Sequence, residues 1–310
     1  MAHELIDSSK HIVLIAHKNP DADSLGSACA FYSYLLRLNK KITLFCASAE
    51  LDPHLAFLPW FENVTDRFPE DADCMISFDC GRYGRLGIER DLPLINFDHH
   101  RSNDFFGTHN FIDTDAISTT QTVYDFFVAN GLKINGKMAL SLYAGLVDDS
   151  KCFRSPGCNA RTFEMAHRLI GLGADHALCV EWLYGRNSLA SLRSKGKMLK
   201  EMRLFLDGAL AVFEVDAALL ADTGATVAEC KQVLDEALGM RHVRASLMHV
   251  ERPGGGVKLS LRTSEGIDAA KIMERFGGGG HIHRAGAKIE HDDVRELVKE
   301  ITMMIQKEMQ

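Results

Sequence analysis

Apolar residues in the first half of the chain fall in short continuous runs separated by longer stretches of mixed character. His11-Ile-Val-Leu-Ile-Ala16 is one such run and predicts a strand buried on both faces. Further strands are predicted at 41–46, 73–79 and 93–97, and the last two run into Phe-Asp. Ser24 to Leu38 predicts a helix, apolar enough to be buried on most sides. Ser118-Thr-Thr-Gln121 has the form of a capping box, with Ser118 as N-cap and Gln121 reaching back, opening a helix to about Ala129. Residues 137–147, 159–170 and 175–184 also read as helical. Strands alternating with helices predict a mostly parallel α/β sheet whose ligands gather at the strands' C-terminal ends.

Residues 187–206 set Lys195, Lys197, Lys200, Glu201 and Arg203 among spaced apolar positions and read as a connecting helix. From Gly208 the pattern restarts. Strands are expected at 209–215, 243–250, 257–262 and 285–290, with helices at 226–238, 268–276 and 292–308. A turn is expected at Pro253-Gly-Gly-Gly256 and a loop at Gly277–Gly280. In the last helix Val294, Leu297, Val298, Ile301 and Ile305 recur at helical spacing, a stripe that needs no function beyond packing. The expected organisation is a parallel-sheet domain at 1–186, a linker helix at 187–206 and a smaller α/β domain at 207–310.

Composition narrows the class. The chain has 310 residues, 46% of them hydrophobic and 25% charged, which excludes a disordered or low-complexity polymer. The N-terminus lacks a basic-then-apolar signal pattern, and no apolar run reaches the ~20 residues that span a bilayer, so a soluble cytoplasmic chain is expected. Eight cysteines lie scattered without a CxxC pair, which disfavours a zinc ribbon or a disulfide framework. The net charge of −7 argues against binding long nucleic acid. Residues 241–290 nevertheless hold nine Lys/Arg against five acids, so one end can grip a small anion.

Four acidic or histidine clusters stand out: His17-Lys-Asn-Pro-Asp21-Ala-Asp23, Asp79, Asp98-His99-His100, and Asp148-Asp149 after a helix ending at Val147. Singly, an Asp after a strand is most often a turn residue or a cap. Together they differ, because a parallel sheet brings its strand ends to one edge. Several carboxylates there would repel one another and resist desolvation unless cations neutralised them. Oxygen and imidazole donors without thiolates suit manganese or magnesium. The aspartates at 21, 23, 79 and 149 balance two divalent ions, the arrangement that activates water and steadies a phosphoryl group.

His17-x-Asn-Pro-Asp21-x-Asp23-x-x-Gly26-Ser27, Asp79, Asp98-His99-His100 and Gly145-x-x-x-Asp149-Ser150-x-x-Phe153 resemble, in order, the four motifs of the DHH phosphoesterase superfamily. Asn103, Phe106-Gly107 and Ser118-Thr119-Thr120 match the same pattern, and Phe276-Gly-Gly-Gly-Gly-His281-Ile-His-Arg-Ala285-Gly286 resembles the signature of that family's associated type-one domain. At this size the chain looks closest to the nano-RNase and pAp-phosphatase branch. The resemblance implies that His17 and Asp21 hold one Mn²⁺, that Asp79 bridges to a second, and that Asp23, His99 and Asp149 complete it, with Mg²⁺ as the other candidate ion. His100 would face the scissile phosphate and stabilise or protonate the leaving oxygen, and Asp98 would orient a histidine ligand of the metal from behind it. Two positions depart from the family pattern: Ser150 stands where Thr is usual, and Arg284 where a small residue is usual. Asp148 leaves the ligand choice between two neighbours, with the spacing to Phe153 favouring Asp149.

In the second lobe, Gly278, Gly279 and Gly280 let the backbone approach an anion, His281 can donate to a phosphate oxygen, and Arg262 can add a two-pronged contact. A flexible turn is the plain alternative for these glycines. Cys80 and Cys152 lie near the acidic clusters, where packing explains them better than redox chemistry does. Phe105 and Phe106 could stack on a base, or belong to the core.

The expected enzyme is a two-lobed manganese phosphodiesterase that closes on its substrate. It would cut very short oligoribonucleotides and linear dinucleotides such as pGpG and pApA to mononucleotides, with 3′-phosphate removal from pAp as a companion activity. The alternatives are a cyclic dinucleotide phosphodiesterase, a RecJ-like single-strand exonuclease, and a non-catalytic nucleotide-binding module. The expected partners are nucleotides or short RNA, without long duplexes or membranes, and the resemblance allows a homodimer.

Overall fold

The computed structural model describes residues 2–48, 50–252, 254–264, 266–290 and 293–309, and of His281 the backbone alone. The chain forms two compact units, Met1–Arg186 and Asn187–Gln310.

In the first unit, β1 (His11–Ala16), β2 (Lys41–Cys46), β3 (Val64–Thr65), β4 (Cys74–Phe78), β5 (Leu94–Asp98) and β6 (His109–Ile112) make one sheet in the order β3-β2-β1-β4-β5-β6. Every neighbouring pair is parallel. The chain winds outward from β1 to β3 and then crosses back to β4, so the reversal falls between β1 and β4, where sheets of this kind open a crevice. Ala16 pairs with Phe78, and Phe78 with Phe97. His17, Asp79 and Asp98 therefore leave the sheet at the same edge.

Helices α1 (Ala2–Ser8), α2 (Ala22–Leu36), α3 (Thr119–Ala129), α4 (Gly136–Asp149), α5 (Ala160–Gly171) and α6 (His176–Val180) follow in chain order. The continuous apolar run of β1 is explained by burial on both sides. Ile12 and Leu14 face a large core with Phe31, Phe78 and Phe97, while Val13 and Ile15 face a smaller one with Phe45, Met75 and Leu86. Helices α2 and α4 touch backbone to backbone: a Cβ on Gly26 would stand 2.4 Å from the Ser141 carbonyl oxygen, so only glycine fits there.

The local reading needs three corrections in this unit. The edge strands β3 and β6 went unpredicted, because both are short and half-buried and carry no apolar run. Helix α4 runs on through Asp148 and Asp149 instead of stopping at Val147. Ser118 does cap α3 by accepting the Gln121 N–H at 3.1 Å, but Gln121 Oε1 takes the N–H of Ile117 at 2.9 Å, one residue beyond a true capping box.

The second unit contains β7 (Arg203–Phe205), β8 (Leu210–Val215), β9 (Ala245–Glu251), β10 (Val257–Thr263), β11 (Gly279–His281) and β12 (Arg284–Ile289), in the order β11-β12-β10-β9-β8-β7. Only β8 and β9 run parallel. Its helices are α7 (Leu189–Glu201), α8 (Ala217–Thr223), α9 (Val227–Cys230), α10 (Gln232–Leu238), α11 (Ala269–Glu274) and α12 (Val294–Glu308). One face of the sheet packs Phe213 and Met248 against Met198, Val233 and Leu234, and the other packs Leu259 and Leu261 against Ile272 and Ile301.

The helix expected through 206 ends at Glu201, and β7 follows it. The helix expected at 226–238 is two short ones, and α8 was not foreseen. The glycine-rich segment runs into a strand, since β11 pairs with β12. Gly278 and Gly280 lie so close to β12 that a Cβ would stand 2.2 Å from Gly286 O and 2.4 Å from Arg284 O, respectively. Pro253, part of the expected turn, and the His281 side chain lie outside the described residues.

Candidate metal centre

The loop after β1 is shaped before it meets any ligand. Asn19 takes a left-handed φ of 52°, and its N–H donates to Ser48 Oγ at 2.7 Å. Asp21 then caps α2 by accepting the Ser24 N–H at 3.0 Å, while Ser24 Oγ donates to the Phe78 carbonyl and ties the loop to β4. Asp79 also has a left-handed φ, of 57°, a strained state that Asp tolerates and that is frequent at functional sites.

Two three-residue groups converge, each with its ligand atoms within 4.8 Å of one another: His17, Asp21 and Asp79, and Asp23, His99 and Asp149. A third set, Asp79, His99 and His100, overlaps both. His17 Nε2 lies 3.3 Å from Asp79 Oδ2 and 3.9 Å from Asp21 Oδ1. His99 Nε2 lies 3.2 Å from Asp149 Oδ2 and 3.5 Å from Asp79 Oδ1, so Asp79 stands between the two groups.

The outer partners fix which nitrogen faces inward. His17 Nδ1 donates to Lys18 O at 2.9 Å and His99 Nδ1 to Ala116 O at 3.3 Å, which leaves each Nε2 turned to the carboxylates. Asp98 is fully buried and accepts from His100 Nδ1, from the His99 backbone N–H and from Asn103 Nδ2. The ring it orients is therefore that of His100, and not that of a histidine assigned to a metal: His99 Nδ1 is held by the Ala116 carbonyl instead.

Charge crowding shifts the pKa values of these groups. Burial and the nearby Asp79 carboxylate push Asp23 up to about 7. Burial and Asp23 raise Asp149 well above the carboxylate range, against the pull of His99. Burial opposes the charged form of His99, yet Asp149 beside it brings the imidazole up to about 11. Burial would raise Asp79, but His17, His100 and His99 hold it below the usual range. Four buried or half-buried carboxylates among imidazoles form a donor set suited to divalent cations.

Asp148 and Asp149 are separated by their partners. Asp148 Oδ2 accepts the Ala22 N–H at the start of α2, whereas Asp149 turns to His99. Beyond Asp149 the chain passes through three consecutive left-handed residues, Lys151, Cys152 and Phe153, and Ser150 Oγ accepts the Phe153 N–H at 3.0 Å. The hydroxyl at position 150 holds this turn. Tyr184 Oη, from the π-helical turn Glu181–Gly185, donates to the carbonyls of Val147 and Asp148 at 3.2 Å each and closes the end of α4.

Three contributors had no assigned role in the sequence. Thr119 Oγ1 donates to Asp79 Oδ1 at 2.9 Å, and the backbone N–H groups of Thr119 and Thr120, at the start of α3, donate to Asp23 at 2.6 and 2.8 Å. The Ser118-Thr119-Thr120 pattern was the available signal. Arg85 Nη2 lies 3.2 Å from His17 Nδ1, which no spacing announces. Cys80 is buried, and burial pushes its thiol up to about 12, the behaviour of a packing residue. Phe106 packs in the core against Tyr83, while Phe105 is 63% exposed.

In the second unit Arg262 and Gly277–Gly279 line a cleft of about 550 Å³; Gly280 is turned against β12. Arg262 is half-buried, and burial and Arg284 lower its pKa. Among the described residues no helix is long and apolar enough to cross a membrane.

Residues 11–146 match the DHH family N-terminal domain and residues 207–307 the DHHA1 domain. The chain is 28% identical to the bifunctional oligoribonuclease and PAP phosphatase NrnA of Thermus thermophilus, over 96% of this chain and 90% of that one. It is 27% identical to the protein of the same name from Bacillus subtilis, over 90% and 89%. The crystal structure of an exopolyphosphatase-related protein from Bacteroides fragilis superposes with a TM-score of 0.91 at 21% identity, covering 99% of this chain and 94% of that one. A DHH family N-terminal domain followed by a DHHA1 domain places the chain in the DHH family as a metal-dependent hydrolase.

Proposed function

We propose that the protein hydrolyses very short oligoribonucleotides and linear dinucleotides, pGpG and pApA among them, to mononucleotides with Mn²⁺, and removes the 3′-phosphate of pAp. The observation that carries this is the pair of three-residue groups at the sheet edge, with Asp79 of the first standing 3.5 Å from His99 of the second. His17, Asp21 and Asp79 would hold one Mn²⁺ or Mg²⁺, and Asp23, His99 and Asp149 the other. Two such ions supply charge neutralisation and an activated water for in-line displacement. The relatives named for oligoribonuclease and PAP phosphatase activity, matched over nearly the whole chain, support the substrate class.

The chain's own residues supply orientation and a proton. Asn103 holds Asp98, and Asp98 holds the His100 ring at 2.6 Å. Burial disfavours the His100 imidazolium, whereas Asp98 and Asp79 raise its pKa, and the ring would offer a proton to the leaving oxygen. Thr119 Oγ1 holds Asp79 by donating to its Oδ1. Arg262, Gly278 and Gly279, which line the cleft of the second unit, would hold a phosphate of the substrate.

Product analysis by chromatography after incubating 5′-phosphorylated diribonucleotide with Mn²⁺, beside a chelated control, tests this reading. Metal-dependent conversion to mononucleotides is expected. An untouched dinucleotide and untouched pAp, with metal bound, would overturn it and turn attention to cyclic dinucleotides.

A further inference from the structure

The cleft of the second unit carries more positive charge than one phosphate needs, and the charge is arranged in rows. On the antiparallel β10–β12 ladder Arg262 lies opposite Arg284, and Lys258 opposite Lys288, with the small pair Ser260 and Gly286 between them. Like charges directly opposite on neighbouring strands destabilise a sheet. Lys231, from the junction of α9 and α10, lines the same cleft. Arg284 finds Asp235 at 3.4 Å, but among the described residues no acid pairs with Lys231, Lys258 or Lys288. Burial lowers the pKa of Lys231, and Lys258 and Arg262 lower it further, as uncompensated neighbours would.

The rows are four residues apart along β10, about 13 Å at the usual strand rise. That exceeds the distance between adjacent phosphates of a nucleotide chain. The floor between them is bare backbone at Gly278, Gly279 and Gly286, which admits a polymer lying flat.

We propose that Lys258 and Lys288, with Lys231, form a second anion subsite, which takes a backbone phosphate of oligoribonucleotides longer than the dinucleotide. This rests on the substrate class proposed above and adds a length dependence to it. The Arg262 row serves every substrate, whereas the lysine row is reached only by the longer ones. It would let one enzyme accept a few nucleotides without losing the dinucleotide.

The double variant Lys258→Gln/Lys288→Gln tests the assignment against 5′-phosphorylated di- and tetraribonucleotides with Mn²⁺. The expected result is an unchanged kcat/KM on the dinucleotide and a loss of about fivefold to tenfold on the tetranucleotide, mostly in KM. The slope of log affinity against log salt for the tetranucleotide should fall by roughly 0.7 for each phosphate contact removed. The melting temperature should hold or rise, because a repulsive pair has gone. Equal losses at both lengths, or none at either, would overturn the proposal. Anisotropy with labelled oligonucleotides in chelator gives the same comparison without turnover, so a wild type that cleaves neither substrate would sink the functional reading while binding still decides the subsite.

Discussion

Gly145 on α4 faces Asp23 on α2 so closely that a Cβ there would stand 2.8 Å from Asp23 Oδ1 and 2.4 Å from Thr120 Cγ2. The bare Cα leaves room for the carboxylate to sit beneath the start of α3 with both oxygens accepting N–H bonds. Gly145→Ala should displace Asp23 and weaken Mn²⁺ binding by roughly 10- to 100-fold, as outer-contact changes at metal sites do. Overpacking should cost about 1–3 kcal/mol of stability. Calorimetric titration with Mn²⁺ beside a urea melt separates the two effects. Unchanged affinity in a variant that melts early would show Gly145 to be packing alone.

The adjacent carboxylates on α4 should behave unlike each other. Asp149→Asn removes a group facing His99 and should bring hydrolysis to background and abolish the rise in melting temperature on adding Mn²⁺. For a site filled at a hundred times its Kd that rise corresponds to about 2.7 kcal/mol. Asp148→Asn keeps an oxygen able to accept the Ala22 N–H and should retain both properties. Thermal melts of the two variants with Mn²⁺ and with chelator decide the matter, and reversed results would exchange the residues' roles.

The second unit holds a buried histidine away from all of this. His249 is 1% exposed, its Nε2 lies 3.4 Å from Arg203 Nη2, and its Nδ1 has no hydrogen-bond partner among the described residues. Burial, aided by Arg203 and opposed by Glu214, lowers its pKa from 6.5. The unfolded chain then takes up a proton before the folded one does. His249 thus contributes no pH-dependent loss above the unfolded value, and stability falls as pH drops below 6.5 towards the folded pKa. Melting curves of His249→Gln between pH 5 and 7.5 should show a shallower decline than the wild type, and parallel declines would refute the assignment.

What could be read from the sequence divides along physical lines. β1 has the bounds its apolar run suggests, because a strand buried on both faces leaves a continuous signature, and β2, buried only from Leu44 onward, keeps its expected bounds as well. The edge strands β3 and β6 had none to leave. Helix α8 carried a readable signal, the cap Asp216 and the left-handed Gly224 at its end, yet its few residues were too short for periodicity. The clusters at 17–23, 79 and 98–100 could be brought to one edge from topology alone, since parallel strands in register end together. The placement of Asp149 could not, because a helix end can point anywhere, and it took the Asp148–Ala22 bond to show which carboxylate turns inward. Arg85 and Tyr184 act from segments without repeating character, so nothing short of coordinates could reveal them.

Tyr184 has one more consequence, which concerns synthesis. The acidic and imidazole groups are spread from His17 to Asp149, and the end of α4 is closed by a hydroxyl that emerges from the ribosome later still. Joining points so far apart in the chain is entropically costly until the sheet has formed. A nascent chain therefore carries the DHH motif long before it carries a complete centre, and hydrolytic competence should be acquired late and in one step. A polypeptide interrupted between Asp149 and Tyr184 would have every candidate ligand and an unfinished cage.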